Sequence, residues 1–241
     1  MKTTKTTLLI VLVTLMLAGC GGSDFKKSKI DEIVRDLPTD QVFTVILYDM
    51  DVQGNFFETF HHQYRIIQED KSGDLDEYTT SWLEVSKEEF NQHVNNMGME
   101  VAARDSTGHL SKAVAPPGYS NYVGNRKYGQ WSTDSSGNSF WAFYGRYAMM
   151  SSMFNMMAYP ARRSYYNDWR GGYYGSGRSY YGPTASGRSY YGTNSRYNRT
   201  ANPSSSWSRN RSSFKQNVAS RTSRSGSTSG GWRSKGGGFG K

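Results

Sequence analysis

The sequence predicts an α+β fold, a small antiparallel sheet with two helices, followed by an aromatic-rich segment and a disordered low-complexity Arg/Tyr/Gly/Ser tail. Three observations carry this. Between residues 25 and 115, helically spaced apolar residues and β-branched or aromatic runs follow in the order helix, strands, helix, strands. Charge reverses along the chain: residues 21–115 hold nine Lys/Arg against eighteen Asp/Glu, and residues 116–241 hold eighteen Lys/Arg against Asp134 and Asp168 alone. From Ala158 onward there is no Leu or Ile and a single valine, Val218, too little aliphatic surface to offset the entropy of ordering.

In the acidic part, Ile30, Ile33, Val34 and Leu37 lie at helical spacing, and Pro38 stops the helix. Gln41 to Asp51 and Phe56 to Ile67 are strand-like runs, joined by a turn at Gln53-Gly54-Asn55 as a long hairpin. An acidic loop, Glu69 to Glu77 centred on Gly73, leads to a third strand from Tyr78 to Val85. Ser86-Lys87-Glu88-Glu89 has the form of a capping box: the Ser86 hydroxyl accepts from the Glu89 amide, and the Glu89 carboxylate reaches back to the Ser86 amide. The helix it opens presents Phe90, Val94 and Met97 and ends at Gly98. Asp105-Ser106-Thr107-Gly108 joins a second hairpin, and Pro116-Pro117-Gly118 closes the 25–115 domain.

Residues 116–157 form a Gly/aromatic-rich segment. Within it, Phe140, Phe143, Tyr144, Tyr147, Met150, Phe154 and Met157 make one stripe at helical pitch, predicting an amphipathic helix over 139–157. Three roles compete for that stripe: packing on the preceding sheet, lying in a membrane interface, or self-association through Met149–Met157. A membrane span is the weakest reading, because Gly145 and Arg146 interrupt the run.

Residues 158–241 form the basic tail. Arg163-Ser-Tyr165-Tyr166, Arg178-Ser-Tyr180-Tyr181 and Arg188-Ser-Tyr190-Tyr191 repeat one unit at irregular spacing, which excludes a solenoid. Each unit offers a guanidinium for bidentate pairing with an anion and two rings for stacking, so these nine positions are the candidate polyanion-binding residues.

The first residues carry the second functional signal. Lys2 and Lys5 precede apolar stretches from Leu8 to Val13 and from Leu15 to Ala18, which end in Leu17-Ala18-Gly19-Cys20. This segment resembles a bacterial lipoprotein signal with its lipobox. The resemblance covers the first tenth of the chain. It implies a signal peptide over 1–19, cleavage between Gly19 and Cys20, acylation of Cys20 (palmitate among the chains), and a short linker over 20–24. It further implies an extracytoplasmic protein, lipid-anchored to the cell membrane or outer membrane. With the one cysteine used by the lipid, no disulfide staples the mature chain.

No reaction is named by the sequence. G-x-S-x-G, H-E-x-x-H and the P-loop are absent, no thiol is left for nucleophilic work, and neither catalytic residues nor a cofactor are assigned. Asp49-Met-Asp51-Val-Gln53-Gly54-Asn55 resembles the opening of a calcium loop but has Phe60 where that loop needs its twelfth-position glutamate. His61 and His62 point to opposite faces of a strand, and His93 and His109 sit on separate elements, so no metal site is assigned. The expectation is a structural or binding lipoprotein of the cell envelope, whose tail engages anionic polymers or lipid head groups. Two alternatives are a surface nucleic-acid binder and a metal-binding or enzymatic accessory module in the acidic domain.

Overall fold

The computed structural model describes residues 27–54 and 57–209; the lipobox and residues 210–241 lie outside them. Helix α1 (Lys29–Asp36) buries Ile30 and Val34. The long hairpin forms as β1 (Val42–Gln53) and β2 (Thr59–Glu69), with a register shift between Leu47 and Asp49. The third strand is split into β3 (Leu75–Thr79) and β4 (Leu83–Val85), both pairing with β2. Helix α2 (Lys87–His93) follows, then β5 (Glu100–Arg104) and β6 (Leu110–Ser111). The sheet is antiparallel, in the order β3-β2-β1-β5-β6. The α+β class therefore holds.

Local chemistry explains the turns. Gly73 sits at φ +79°, and the Asp70 carboxylate accepts from the amides of Ser72 and Asp74, both at 2.8 Å. Asp105 performs the same task for Thr107 and His109. Half of the expected capping box is present, with Ser86 Oγ accepting from Glu89 N at 3.1 Å. The Glu89 carboxylate turns instead to α1, accepting from Ser28 Oγ at 2.8 Å and from the Lys29 amide.

One face of the sheet packs on α1 and α2 through Phe43, Val45, Leu47, Tyr64, Ile66 and Phe90. The other face carries Thr44, Ile46 and Ile67, and it is covered by the part of the chain beyond residue 115. Because both faces are buried, β1 reads as a nearly continuous apolar run rather than an alternating one. Asn121 pins the second layer, donating from Nδ2 to Phe43 O (2.8 Å), Thr44 Oγ1 (3.1 Å) and Arg104 O (3.2 Å). Pro116-Pro117-Gly118 thus opens that layer instead of closing a separate domain.

Two expectations are corrected here. The single helix over 139–157 is replaced by strand β8 (Ser139–Phe143), a 3-10 turn (Gly145–Tyr147) and a short helix α3 (Met149–Met153). Strand β8 pairs with β7 (Gly129–Thr133), setting Trp131 edge to face with Trp141 across the strands, ring centroids 5.1 Å apart. A cross-strand aromatic pair of this kind competes directly with helix propensity. The predicted stripe divides: Tyr147, Met150 and Phe154 are buried, while Tyr144 and Met157 are exposed.

The second correction concerns the tail. Residues 158–209 are folded: helix α4 (Arg163–Gly172), a two-stranded ribbon of β9 (Thr184–Ala185) and β10 (Arg188–Ser189), and helices α5 (Arg196–Ala201) and α6 (Ser206–Arg209). Tyrosine and tryptophan supply the core that Leu and Ile do not. Tyr119, Tyr122, Tyr128, Trp169, Tyr180, Tyr191 and Tyr197 are all buried. They meet largely edge to face, as in Tyr122–Tyr128 at 5.0 Å and 76° and Tyr191–Tyr197 at 5.0 Å and 67°. Each such pair contributes about 0.5–1.5 kcal/mol beyond the area it buries. Two hydroxyls find partners inside, Tyr197 donating to Phe154 O (2.9 Å) and Tyr181 to Asn96 Oδ1 (2.6 Å), whereas those of Tyr122 and Tyr180 are buried with no hydrogen-bond partner among the described residues.

Candidate polyanion-binding surface

The nine residues singled out in the sequence divide by type. Arg163, Arg178 and Arg188 are exposed. Tyr180 and Tyr191 are buried, and Tyr165, Tyr166, Tyr181 and Tyr190 are half-buried. The tyrosines are therefore not free rings on an extended chain. They belong to the core and hold the arginines at its rim.

Helix α4 organises that rim. Arg163 and Arg170 are seven residues apart, two helical turns, and so share one face. The Arg163 guanidinium lies 5.8 Å from the Trp131 ring centre and that of Arg170 only 3.8 Å from Tyr174. Arg178 sits 4.6 Å over Tyr173. Stacking on an aromatic face fixes a guanidinium while leaving its N–H edge available to an anion.

Two grooves flank this face. The larger, about 620 Å³, runs between β7–β8 and the start of α4 and is lined by Arg126, Gln130, Trp131, Trp141, Tyr144 and Arg163. The smaller, about 230 Å³, includes Asp105, Asn125, Tyr166, Arg170 and Tyr174. Gly124 lines both. Its φ is +78°, and a Cβ there would lie 2.5 Å from the Tyr166 ring, so backbone conformation and packing both require glycine. Arg126 and Trp131 were not singled out in the sequence, because the partner that makes them part of a site, Arg163, is more than thirty residues away.

Comparison with known proteins finds no family model, no curated protein and no solved structure that matches this chain.

A second charged cleft, about 460 Å³, lies where β1 begins and β2 ends, lined by Asp40, Glu69, Lys71, Lys127, Arg146 and Tyr147 among others. Glu69 is buried, holding the Tyr128 hydroxyl and Lys127 Nζ. Burial raises the Tyr128 pKa, an effect reinforced by the Glu69 carboxylate, so this phenol stays a neutral donor. Arg146 bonds Asp74 Oδ1 at 2.8 Å and Ser72 O at 3.1 Å. With its cations already matched to acids, this cleft offers an anion less than the α4 rim does.

The residues weighed for metal binding are placed elsewhere. Asp49 is buried in the β1 bulge, accepting from Ser205 Oγ at 2.7 Å and from the Met50 amide at 2.8 Å. His62 is buried under Phe90, with its Nδ1 2.8 Å from Tyr64 Oη. His93, placed on a separate element in the sequence reading, meets it edge to face with ring centroids 6.1 Å apart. Burial pushes the His62 pKa down to about 3, and the neighbouring His93 adds to the effect. Among the described residues, no three His, Cys, Asp or Glu side chains form a metal-binding group.

Proposed function

We propose that this chain is a membrane-anchored bacterial lipoprotein of structural or binding type, held by a lipid on Cys20, whose basic aromatic surface engages anionic components of the cell envelope. The observation that carries the binding half is the row formed by Arg126, Arg163 and Arg170, seated beside Trp131, Tyr166 and Tyr174 along two adjoining grooves. Arginines held this way lose little freedom when an anion arrives. The lipobox carries the location.

The test has two arms. Mass spectrometry of the mature N-terminus, with membrane fractionation, reads acylation at Cys20; a free thiol in a cytosolic protein overturns the anchor. Binding of the full chain to anionic polymers and to phosphatidylglycerol vesicles, across a salt series, reads the surface; absent or salt-insensitive binding overturns the electrostatic half. Trp131 and Tyr144 in the larger groove, between Arg126 and Arg163, also support a nucleic-acid reading, since stacking with cationic contacts tracks single strands. Stronger binding to single-stranded DNA than to vesicles at matched salt favours that alternative.

A further inference from the structure

The two grooves beside α4 hold groups that a bare line of phosphates cannot use. Arg163 and Arg170 start from positions about 10 Å apart along the helix axis, one in each groove. Around them stand uncharged polar side chains. Gln130 is exposed in the larger groove and makes no side-chain hydrogen bond among the described residues. Ser106 is exposed in the smaller groove. An amide or a hydroxyl both donates and accepts, whereas a polyphosphate or phosphodiester backbone offers acceptors only. The smaller groove also holds Asp105, whose carboxylate is fixed by Thr107 Oγ1 at 2.6 Å and by the amides of Thr107 and His109. An unbroken run of anionic charge laid over Arg170 would be pushed against that carboxylate.

The aromatic side chains narrow the choice further. Trp131 meets Trp141 at 5.1 Å and Tyr166 at 5.5 Å, so these rings are engaged with one another and form a wall. Tyr144, in the same groove, is 42 % exposed and has no ring partner among the described residues. Its amide donates to Tyr128 O at 2.9 Å, continuing the β7–β8 ladder, so the ring stands on a fixed backbone. One open ring suits one sugar. Single-stranded nucleic acid takes a ring for each successive base.

We infer that the ligand of this surface is a carboxylated polysaccharide, with a pyranose ring over Tyr144, hydroxyls at Gln130 and carboxylates on Arg163 and Arg170. This deepens the polyanion reading and rests on it. The C–H face of a pyranose carries partial positive charge, which the negative face of a tyrosine ring attracts. A guanidinium fork matches a carboxylate in two parallel bonds. Two linked pyranose rings have about the length that separates the arginines along α4, so a polymer with one acid per disaccharide meets both. Gly124, shared by the two grooves, lies where such a chain would cross from one to the other.

The test is binding of the full chain, at matched salt, to four probes. Hyaluronan carries one carboxylate per disaccharide, polyphosphate has charge without hydroxyls, dextran has hydroxyls without charge, and single-stranded DNA has charge with bases. Hyaluronan should bind several-fold more tightly, per anionic group, than polyphosphate or DNA, and dextran should bind weakest. Tyr144→Ala should weaken hyaluronan binding by up to about tenfold and polyphosphate binding much less. Gln130→Ala, at an exposed position, should weaken hyaluronan binding roughly threefold and leave the thermal midpoint in place. Polyphosphate or DNA binding as tightly as hyaluronan overturns the inference, as do equal losses, or none, on hyaluronan and polyphosphate in the two variants. Failure to bind hyaluronan, polyphosphate and DNA alike sinks the polyanion reading itself.

Discussion

Glu89 caps a helix to which it does not belong: its carboxylate accepts from Ser28 Oγ at 2.8 Å, sixty-one residues earlier in the chain. It also takes the Lys29 amide, a donor at the start of α1 that has no partner within the helix. One side chain thereby fixes the relative position of the two helices on that face. Glu89→Ala should destabilise the protein by about 1–3 kcal/mol, because the half-buried Ser28 hydroxyl and Lys29 amide lose their charged acceptor. Glu89→Gln, which keeps one acceptor oxygen, should cost less than half as much. Guanidinium unfolding of the two variants checks this, and equal losses would count against the capping role.

Two buried titratable groups shape stability with pH in opposite directions. The His62 pKa falls from its ordinary 6.5 to about 3 through burial, so its contribution is present above pH 6.5 and is lost as pH falls toward 3. Glu100, fully buried and bonded by the Gly118 amide at 3.1 Å, has its pKa pushed up from 4.5 to about 7, again by burial. Its contribution is present below pH 4.5 and is lost as pH rises through 7. Between these values the two nearly cancel. Glu100→Gln should raise stability at pH 8, by an amount on the order of 3 kcal/mol at most. It should also unmask a steady fall from pH 6.5 downward. His62→Asn should remove that acid limb. Thermal midpoints of the three proteins from pH 4 to 8 give the comparison.

At Gly124, replacement by alanine forces a side chain into positive φ and against the Tyr166 ring. A loss of about 2–4 kcal/mol is expected. Because Tyr166 also contacts Trp131 at 5.5 Å, the variant should weaken polyanion binding as well as stability. A variant destabilised to this degree yet binding normally while folded would separate Tyr166 from the surface.

On the arginine row, Arg163→Gln with Arg170→Gln should weaken binding to anionic vesicles or polymers roughly ten- to thirtyfold at low salt, at about 1 kcal/mol per charge. The salt dependence should become shallower. Arg35→Gln, exposed on α1 in the other layer, should leave binding unchanged. Equal effects from Arg35 and the row would mean that net charge, and not position, sets the affinity.

The sheet and its helices were legible because their signals are local: a turn at Gly73, a cap at Ser86, a proline at 38. Where the Glu89 carboxylate goes was not, since Ser28 is near it only once the sheet has formed. The tail was misread for a more general reason. Counting Leu, Ile and Val undervalues a chain whose core is built from tyrosine, each ring apolar in body and needing one partner for its hydroxyl. Tyr197 obtains that partner from Phe154, forty-three residues away, which no repeat of Arg-Ser-Tyr-Tyr announces. The same distance hid the arginine row, whose parts come from β7, α4 and the loop before them.

The side chains of Asn202 and Trp207 occupy backbone carbonyls of β1 on the edge away from β2, where no strand pairs with it among the described residues. Without them, the outer half of the longest strand would become an open template for addition of a strand from another molecule. A proteolytic cut after Ala201 should therefore do more than loosen the fold. It should also expose that edge of β1 and promote edge-to-edge association.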